Sequence, residues 1–329
     1  MKLKANVAAD GAILLTTIIW GTTFIVAREV LDTWPPVSYL AVRMTTAALI
    51  LAALFPRRLA RADRAAVRAG VTLGLLIGGG VLGLTVALLY TTPARTAFIA
   101  SLTTPLVPFA AYALFRERPG RENLAGVALA TVGGALVLAP AGRWDANAGD
   151  ILALGCTLLF ATHVALLGHY ARRHDARLLS VLQIIAAAAV LCSAWLAVWV
   201  WAAAGGEGSL PAGLARELSP PPWDARAAWQ IAYLSVVATV VTFLLWTWGQ
   251  ARMPAAHAAV IFSLEPVFAT LFAVMARGPG EWPGGRANWG ALLIVSGVVV
   301  SEIKWGKGKA GKKEGGDGTE TGAAPAGAP

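Results

Sequence analysis

The sequence is poor in charge. Only 14% of its 329 residues are Asp, Glu, Lys or Arg, and 57% are hydrophobic. A soluble domain carries roughly 25% charged residues, so an ordinary water-facing surface is excluded. Single cores stop growing near ~250–300 residues, and a soluble chain this long and apolar has nowhere to put its Leu, Ala and Val. A lipid-facing surface takes them. Cysteine is scarce: Cys156 and Cys192 both lie inside apolar runs. One pair builds neither a disulfide framework nor a thiolate metal site. The four His show no metal-ligand spacing, so no metal or other cofactor is expected. Lysine is missing from the body of the chain and sits only at Lys2, Lys4, Lys304, Lys307, Lys309, Lys312 and Lys313. The net charge of +9 therefore forms no basic stripe, and nucleic acid is excluded as a partner. There is no P-loop pattern. Gly78-x-Gly80-x-x-Gly83 has dinucleotide-fingerprint spacing, but no strand precedes it. With Gly70 and Gly74 it reads as a close-packing helix face.

What is present is a succession of apolar runs. A spanning helix takes about 20 such residues, and the runs are 11–28, 36–55, 70–91, 94–114, 122–140, 150–170, 178–203, 228–250, 255–276 and 287–303. Pro93 and Pro254 separate the two closely spaced pairs. Lys2 and Lys4 before the first run imitate a signal peptide, but the run is long and lacks a cleavage site, so it is expected to stay as the first span. Nineteen Lys and Arg fall on the side of the N-terminus and seven on the other, with Arg43 inside a span. This bias places both termini in the cytoplasm. Residues 1–9 form a short cytoplasmic segment. Residues 204–227, rich in Gly and Pro, form the longest external loop, and 304–329 form a disordered basic cytoplasmic tail that acts as a positive-inside anchor.

The chain also repeats itself. Asp10 and Asp150 each open a span, and at that offset Trp20 meets Phe160 and Thr22 meets Thr162. Pro93 and Pro105 match Pro254 and Pro266, and Glu117-Arg-Pro-Gly120 matches Glu281-Trp-Pro-Gly284. Gly126 and Gly133 match Gly290 and Gly297. Residues 10–140 and 150–303 are thus two halves of five helices each. An odd number of helices inserts the second half upside down. The predicted fold is an all-α integral membrane protein with ten transmembrane helices in two inverted five-helix repeats. Such repeats commonly serve secondary transport, with substrate held near the midplane and exposed alternately to either side.

Trp20-Gly-Thr-Thr-Phe24 in the first helix, Arg43 in the second, Ala97-Phe-Ile-Ala-Ser-Leu102 and Pro105 in the fourth, Glu117-Arg-Pro119, Gly126, Gly133, and Leu264-Glu-Pro266 in the ninth form an ordered set. The set resembles the EamA-type branch of the drug/metabolite transporter superfamily across residues 10–303. The resemblance implies ten helices in two inverted repeats around a central cavity. It also implies transport of amino acids, related metabolites or drugs, often as export, without ATP. One departure is the segment Arg277-Gly-Pro-Gly-Glu-Trp-Pro283, three residues longer than its first-half counterpart, so Glu281 is not expected to repeat the role of Glu117.

Several residues are candidates for substrate contact. Glu265 lies ~15 Å along its span and Arg43 ~12 Å along its own. An ionisable group at such depth costs a few kcal/mol and needs a partner or a wet cavity. Glu265 binds a cationic group or a proton, or else locks the helix through an ion pair. Arg43 holds a substrate carboxylate with its fork, neutralises Glu265, or snorkels outward. Both charges facing one cavity suit a zwitterion. His163 is a proton relay or a hydrogen-bonded packing residue, as is His257. Trp20, Thr22 and Phe98 are candidates for the cavity wall, with Tyr90, Phe160, Trp246 and Trp248 as further aromatics. Pro105, Pro266, Gly78 and Gly79 are candidates for bending and gating. The expected partners are a small-molecule substrate and the lipid bilayer, with homodimerisation left open. The expected location is the cell membrane, multi-pass, and the inner membrane if the source is bacterial. The competing reading is a membrane-embedded enzyme on lipid-linked substrates, which needs a clustered catalytic set. A channel needs charge rings or a filter motif. Neither is visible in the sequence.

Overall fold

The computed structural model describes residues 7–87, 89–91, 93–138, 146–206, 208, 210, 212–279 and 284–302. The expected tail at 304–329, residues 1–6 and Glu281 lie outside the described residues. Every regular element among these residues is helical. The α-helices are α1 (Val7–Thr33), α2 (Pro36–Leu54), a short α3 (Pro56–Ala60), α4 (Arg64–Ala87), α5 (Pro93–Ser101), α6 (Thr103–Phe115) and α7 (Arg121–Leu138). They continue as α8 (Ala148–Tyr170), α9 (Ala176–Gly205), α10 (Ala225–Ser235), α11 (Thr242–Gln250), α12 (Ala255–Phe262), α13 (Glu265–Arg277) and α14 (Gly285–Glu302). Eight helical stretches among the described residues are long and apolar enough to cross a membrane: α1, α2, α4, Thr96–Phe115, α8, α9, Ala225–Gln250 and Ala255–Arg277. The predicted fifth and tenth runs form the 18-residue helices α7 and α14. The all-helical outcome follows from the solvent, since lipid offers no partner for a free N–H or C=O.

Helix starts are set by local chemistry. The Asn147 side chain accepts from the Asp150 amide and the Asp150 side chain accepts from the Asn147 amide, closing a capping box on α8. Asp175 and Asp224 cap α9 and α10 by accepting from Leu178 and Ala227. Between the expected runs 36–55 and 70–91 the chain forms α3 and the first turns of α4.

Two of the spanning stretches are broken at matched places. One break falls at Leu102, between α5 and α6, and the other at Ser263 and Leu264, between α12 and α13. Pro105 and Pro266 stand in the first turn of the piece that follows each break. A proline fits there because a first-turn amide has no intrahelical acceptor. A third irregularity was not anticipated: Val236–Val241 forms a π-helical segment between α10 and α11.

Glycines decide where helices touch. A Cβ on Gly126 would lie 2.7 Å from the Gly297 carbonyl oxygen, and one on Gly133 would lie 2.5 Å from that of Gly290. The reverse also holds, at 2.7 Å for Gly297 on Gly126 and 2.6 Å for Gly290 on Gly133. The two matched pairs therefore meet crosswise, Gly126 on Gly297 and Gly133 on Gly290, in an antiparallel crossing of α7 and α14. On α4, a Cβ at Gly70, Gly74 or Gly78 would run into Leu182, Ala186 or Ala187 of α9. Gly79 meets only Leu159, at 3.7 Å, and α4 runs unbroken through both Gly78 and Gly79.

The α9–α10 loop is strapped to the ends of α1 and α2. It contains a 3-10 turn, Ala212–Leu218. Fully buried Glu217 accepts from the Val37 amide at 2.7 Å and the Ser38 amide at 2.9 Å. The cap residue Pro35 offers α2 no side-chain acceptor and Pro36 has no N–H, so Glu217 caps α2 from across the sequence. Burial pushes the Glu217 carboxyl above the ordinary carboxylate range, and the two amide donors offset this only in part. The Trp34 indole donates to the Pro222 carbonyl and packs edge-on against Trp223. Arg226 and Gln230 both donate to Glu29.

Candidate functional site

Within the π-helical segment one carbonyl collects three donors. A π turn leaves the regular hydrogen-bond ladder and presents main-chain oxygens sideways. The Ala238 oxygen accepts from the Trp20 indole at 3.2 Å, from Arg43 Nη2 at 3.4 Å and from the Thr242 hydroxyl at 2.9 Å. Arg43 Nε donates to Thr239 Oγ1 at 3.0 Å, and its Nη1 donates to the Tyr39 hydroxyl at 3.1 Å. Every partner of Arg43 is neutral. Among the described residues no carboxylate reaches ion-pair distance of it. The expected alternative of an Arg43–Glu265 pair is not formed.

Trp20 is the centre of an aromatic cluster. Its ring stacks on Phe262 at 5.4 Å, meets Trp246 edge-on at 5.1 Å and lies 6.3 Å from Phe243. Trp246 in turn contacts Phe243 at 5.3 Å and Phe262 at 5.3 Å. Four rings from α1, α11 and α12 fill the space beside Arg43. Thr22, one face further round α1, bonds the Tyr233 hydroxyl of α10. Glu265 stands in the first turn of α13, where the helix dipole favours a negative charge. It has no hydrogen-bond or ion-pair partner among the described residues. Gly21 explains how α1 reaches this point, since its missing Cβ would lie 2.7 Å from Phe268 Cβ of α13.

His163 sits behind this cluster, fully buried, with its ring 5.0 Å from Trp246. Its Nε2 pairs with Gln183 Oε1 at 3.0 Å, and Gln183 donates to Thr247 at 3.2 Å. Because the amide oxygen only accepts, Nε2 carries the proton and Nδ1 is left without a partner among the described residues. Phe98 packs elsewhere, beside Ala87, Ile99 and Ala153. Phe160 packs on Gly80, Tyr90 is 54% exposed, and Trp248 receives the Arg252 guanidinium at 4.1 Å. The structure thus unites Trp20, Arg43 and Trp246 and leaves Phe98 apart. It adds Tyr39, Ala238, Thr239, Phe243 and Phe262, none of which the repeat pattern marks. Tyr39 alone had a local signal, standing one helical turn before Arg43.

A Ser–His–Asp series exists at the start of α1. His257 Nε2 lies 3.1 Å from Asp10 and its Nδ1 lies 3.1 Å from Ser301 Oγ. Ser301 is 7% exposed and its hydroxyl also donates to the Val298 carbonyl at 2.8 Å. A nucleophile must face a space that admits substrate, and Ser301 is instead buried where α7, α12 and α14 pack together. The trio joins α1, α12 and α14.

Comparison with known proteins accords with this geometry. A solved crystal structure superposes with a TM-score of 0.71 at 20% identity, covering 90% of this chain and 97% of that one. This is a likeness of fold. A protein of Archaeoglobus fulgidus named an uncharacterized transporter is 29% identical over 298 residues, covering 90% of this chain and 86% of its own length. The model of the EamA-like transporter family matches twice, over residues 8–139 and 147–302. Helices fit to cross a membrane, an uncompensated arginine among them and a family match along nearly the whole length converge: the chain belongs to the EamA-like transporter family and is a multi-pass membrane transporter.

Proposed function

We propose that the protein is a secondary transporter that exports amino acids or related zwitterionic metabolites by alternating access, and is not an enzyme. In this reading α7 and α14 complete ten spans in two inverted five-helix halves, residues 10–140 and 150–303, with both termini in the cytoplasm and the two halves meeting along the glycine crossing. One observation carries the substrate class. Arg43 and Glu265 are ionisable groups inside spans, of opposite sign, and neither has a charged partner. Leaving a charge uncompensated in the membrane is costly, and a ligand bearing both a carboxylate and an ammonium group supplies what each lacks. Arg43 is held as a fork by Tyr39, Thr239 and the Ala238 carbonyl, ready for bidentate contact. Trp20 shares the Ala238 acceptor with Arg43 and stacks on Phe262. Opening then means parting these rings, with the breaks at Leu102 and at Ser263–Leu264 as the natural hinges.

The test is flux into and out of proteoliposomes across a panel of amino acids, amines and sugars. Saturable flux of an amino acid is expected. Arg43→Gln should raise KM about tenfold or more for carboxylates, the loss of one charge-assisted contact. Glu265→Gln should weaken substrates with an ammonium group. Unchanged transport in both variants would refute the zwitterion site while keeping the transporter.

A further inference from the structure

A polar recess lies where α6 and α8 end. It measures about 330 Å³ and is lined by Phe115, Glu117, His169, Arg172 and Arg173. Its floor is the stack of Phe115 on His169, with ring centroids 3.8 Å apart. Arg172 bonds the Glu117 carboxylate at 3.0 Å, and Arg173 turns back onto His169. That ion pair is half-exposed, so it holds Arg172 weakly against a competing anion. Phe109, Tyr112 and Leu114, on the same helix as Phe115, are exposed apolar residues, a surface suited to acyl chains. Arg116 adds a third guanidinium above the Tyr112 ring.

The geometry points to a site for a phosphate-bearing anion at this recess, with the headgroup of an anionic phospholipid as its chemistry: oxygens on Arg172 and Arg173, acyl chains along α6. Basic recesses between spanning helices at the membrane surface recognise such headgroups. The placement in the cytoplasmic leaflet rests on the topology proposed above; the site itself does not, and its test does not measure transport.

The full-length protein is reconstituted in phosphatidylcholine vesicles doped with phosphatidylglycerol, and lipid retained after extraction is read by native mass spectrometry. Inorganic phosphate is titrated against the protein in detergent as a second arm. Arg172→Gln with Arg173→Gln should lower phosphatidylglycerol retention about tenfold, while Arg57→Gln with Arg61→Gln, exposed residues of the same charge, should leave it unchanged. Glu117→Gln removes the competing carboxylate and should raise retention severalfold, an increase that misfolding does not produce. Phosphate binding lost in the recess pair, with lipid retention unmoved, would keep the anion site and assign it a soluble ligand. Equal loss in both arginine pairs, or no change in either arm, would overturn the proposal and leave the arginines as diffuse surface charge.

Discussion

Replacing Glu217 with Ala isolates what holds the α9–α10 loop in place. The Val37 and Ser38 amides are buried and have the Glu217 carboxylate as their acceptor. Each orphaned donor costs about 1–3 kcal/mol. Removing the carboxylate also relieves a buried charge, because burial already outweighs its bonds. These opposing effects place the net loss at the lower end, about 2 kcal/mol. A suitable control is Arg226→Ala, which removes the neighbouring ion pair to Glu29 from a side chain that is 71% exposed; exposed pairs contribute little. Thermal unfolding of both purified variants in detergent, with proteolysis within 206–224 as a local readout, provides the comparison. Glu217→Ala should unfold earlier and be cut faster, and Arg226→Ala should behave as wild type. The reasoning fails if Glu217→Ala unfolds with the wild type, or if the two variants lose stability equally.

The same residue sets a pH dependence. Its pKa is raised in the folded chain, so its contribution is fully present below the ordinary carboxylate value and is lost as pH rises through the raised one. Wild-type unfolding temperature should fall across that window, and the slope should vanish in Glu217→Ala. Gly133→Ala drives a methyl against the Gly290 carbonyl, a backbone atom that cannot swing aside; a loss of about 1–3 kcal/mol is expected, seen as early unfolding. Gly155→Ala meets nothing within 4 Å and should stabilise α8 by about 0.5–1 kcal/mol in the same assay. Trp20→Phe keeps the stack on Phe262 but drops the bond to the Ala238 carbonyl, and should raise KM about fivefold, the worth of about 1 kcal/mol.

The helices were legible because hydrophobic length is a property of each segment alone. Pro93 and Pro254 divided the close pairs, and the matched glycines marked the repeat, although the crossing they form was not foreseen. The site was legible only in part. Trp20 and Arg43 stand out locally, one in a repeated motif and the other as a charge in an apolar run. Their acceptor does not: the Ala238 carbonyl lies 218 residues from Trp20 in sequence, and a main-chain oxygen leaves no mark on composition. The run Val236-Val-Ala-Thr-Val-Val241 gives no cue to a π turn, whose register is settled by what packs against it. Glu217 was missed for the same reason. A glutamate in a Gly- and Pro-rich loop looks solvated until the end of α2 is placed over it.

The Ala238 oxygen has a consequence beyond geometry. Trp20, Arg43 and Thr242 are three side chains on three elements that meet at one acceptor, and that acceptor belongs to the peptide bond. No point substitution deletes it. Each donor can be exchanged in turn while the acceptor that gathers the other two stays in place. In the proposed transport site, ligand preference would then drift in single steps, with the fixed point written in the main chain.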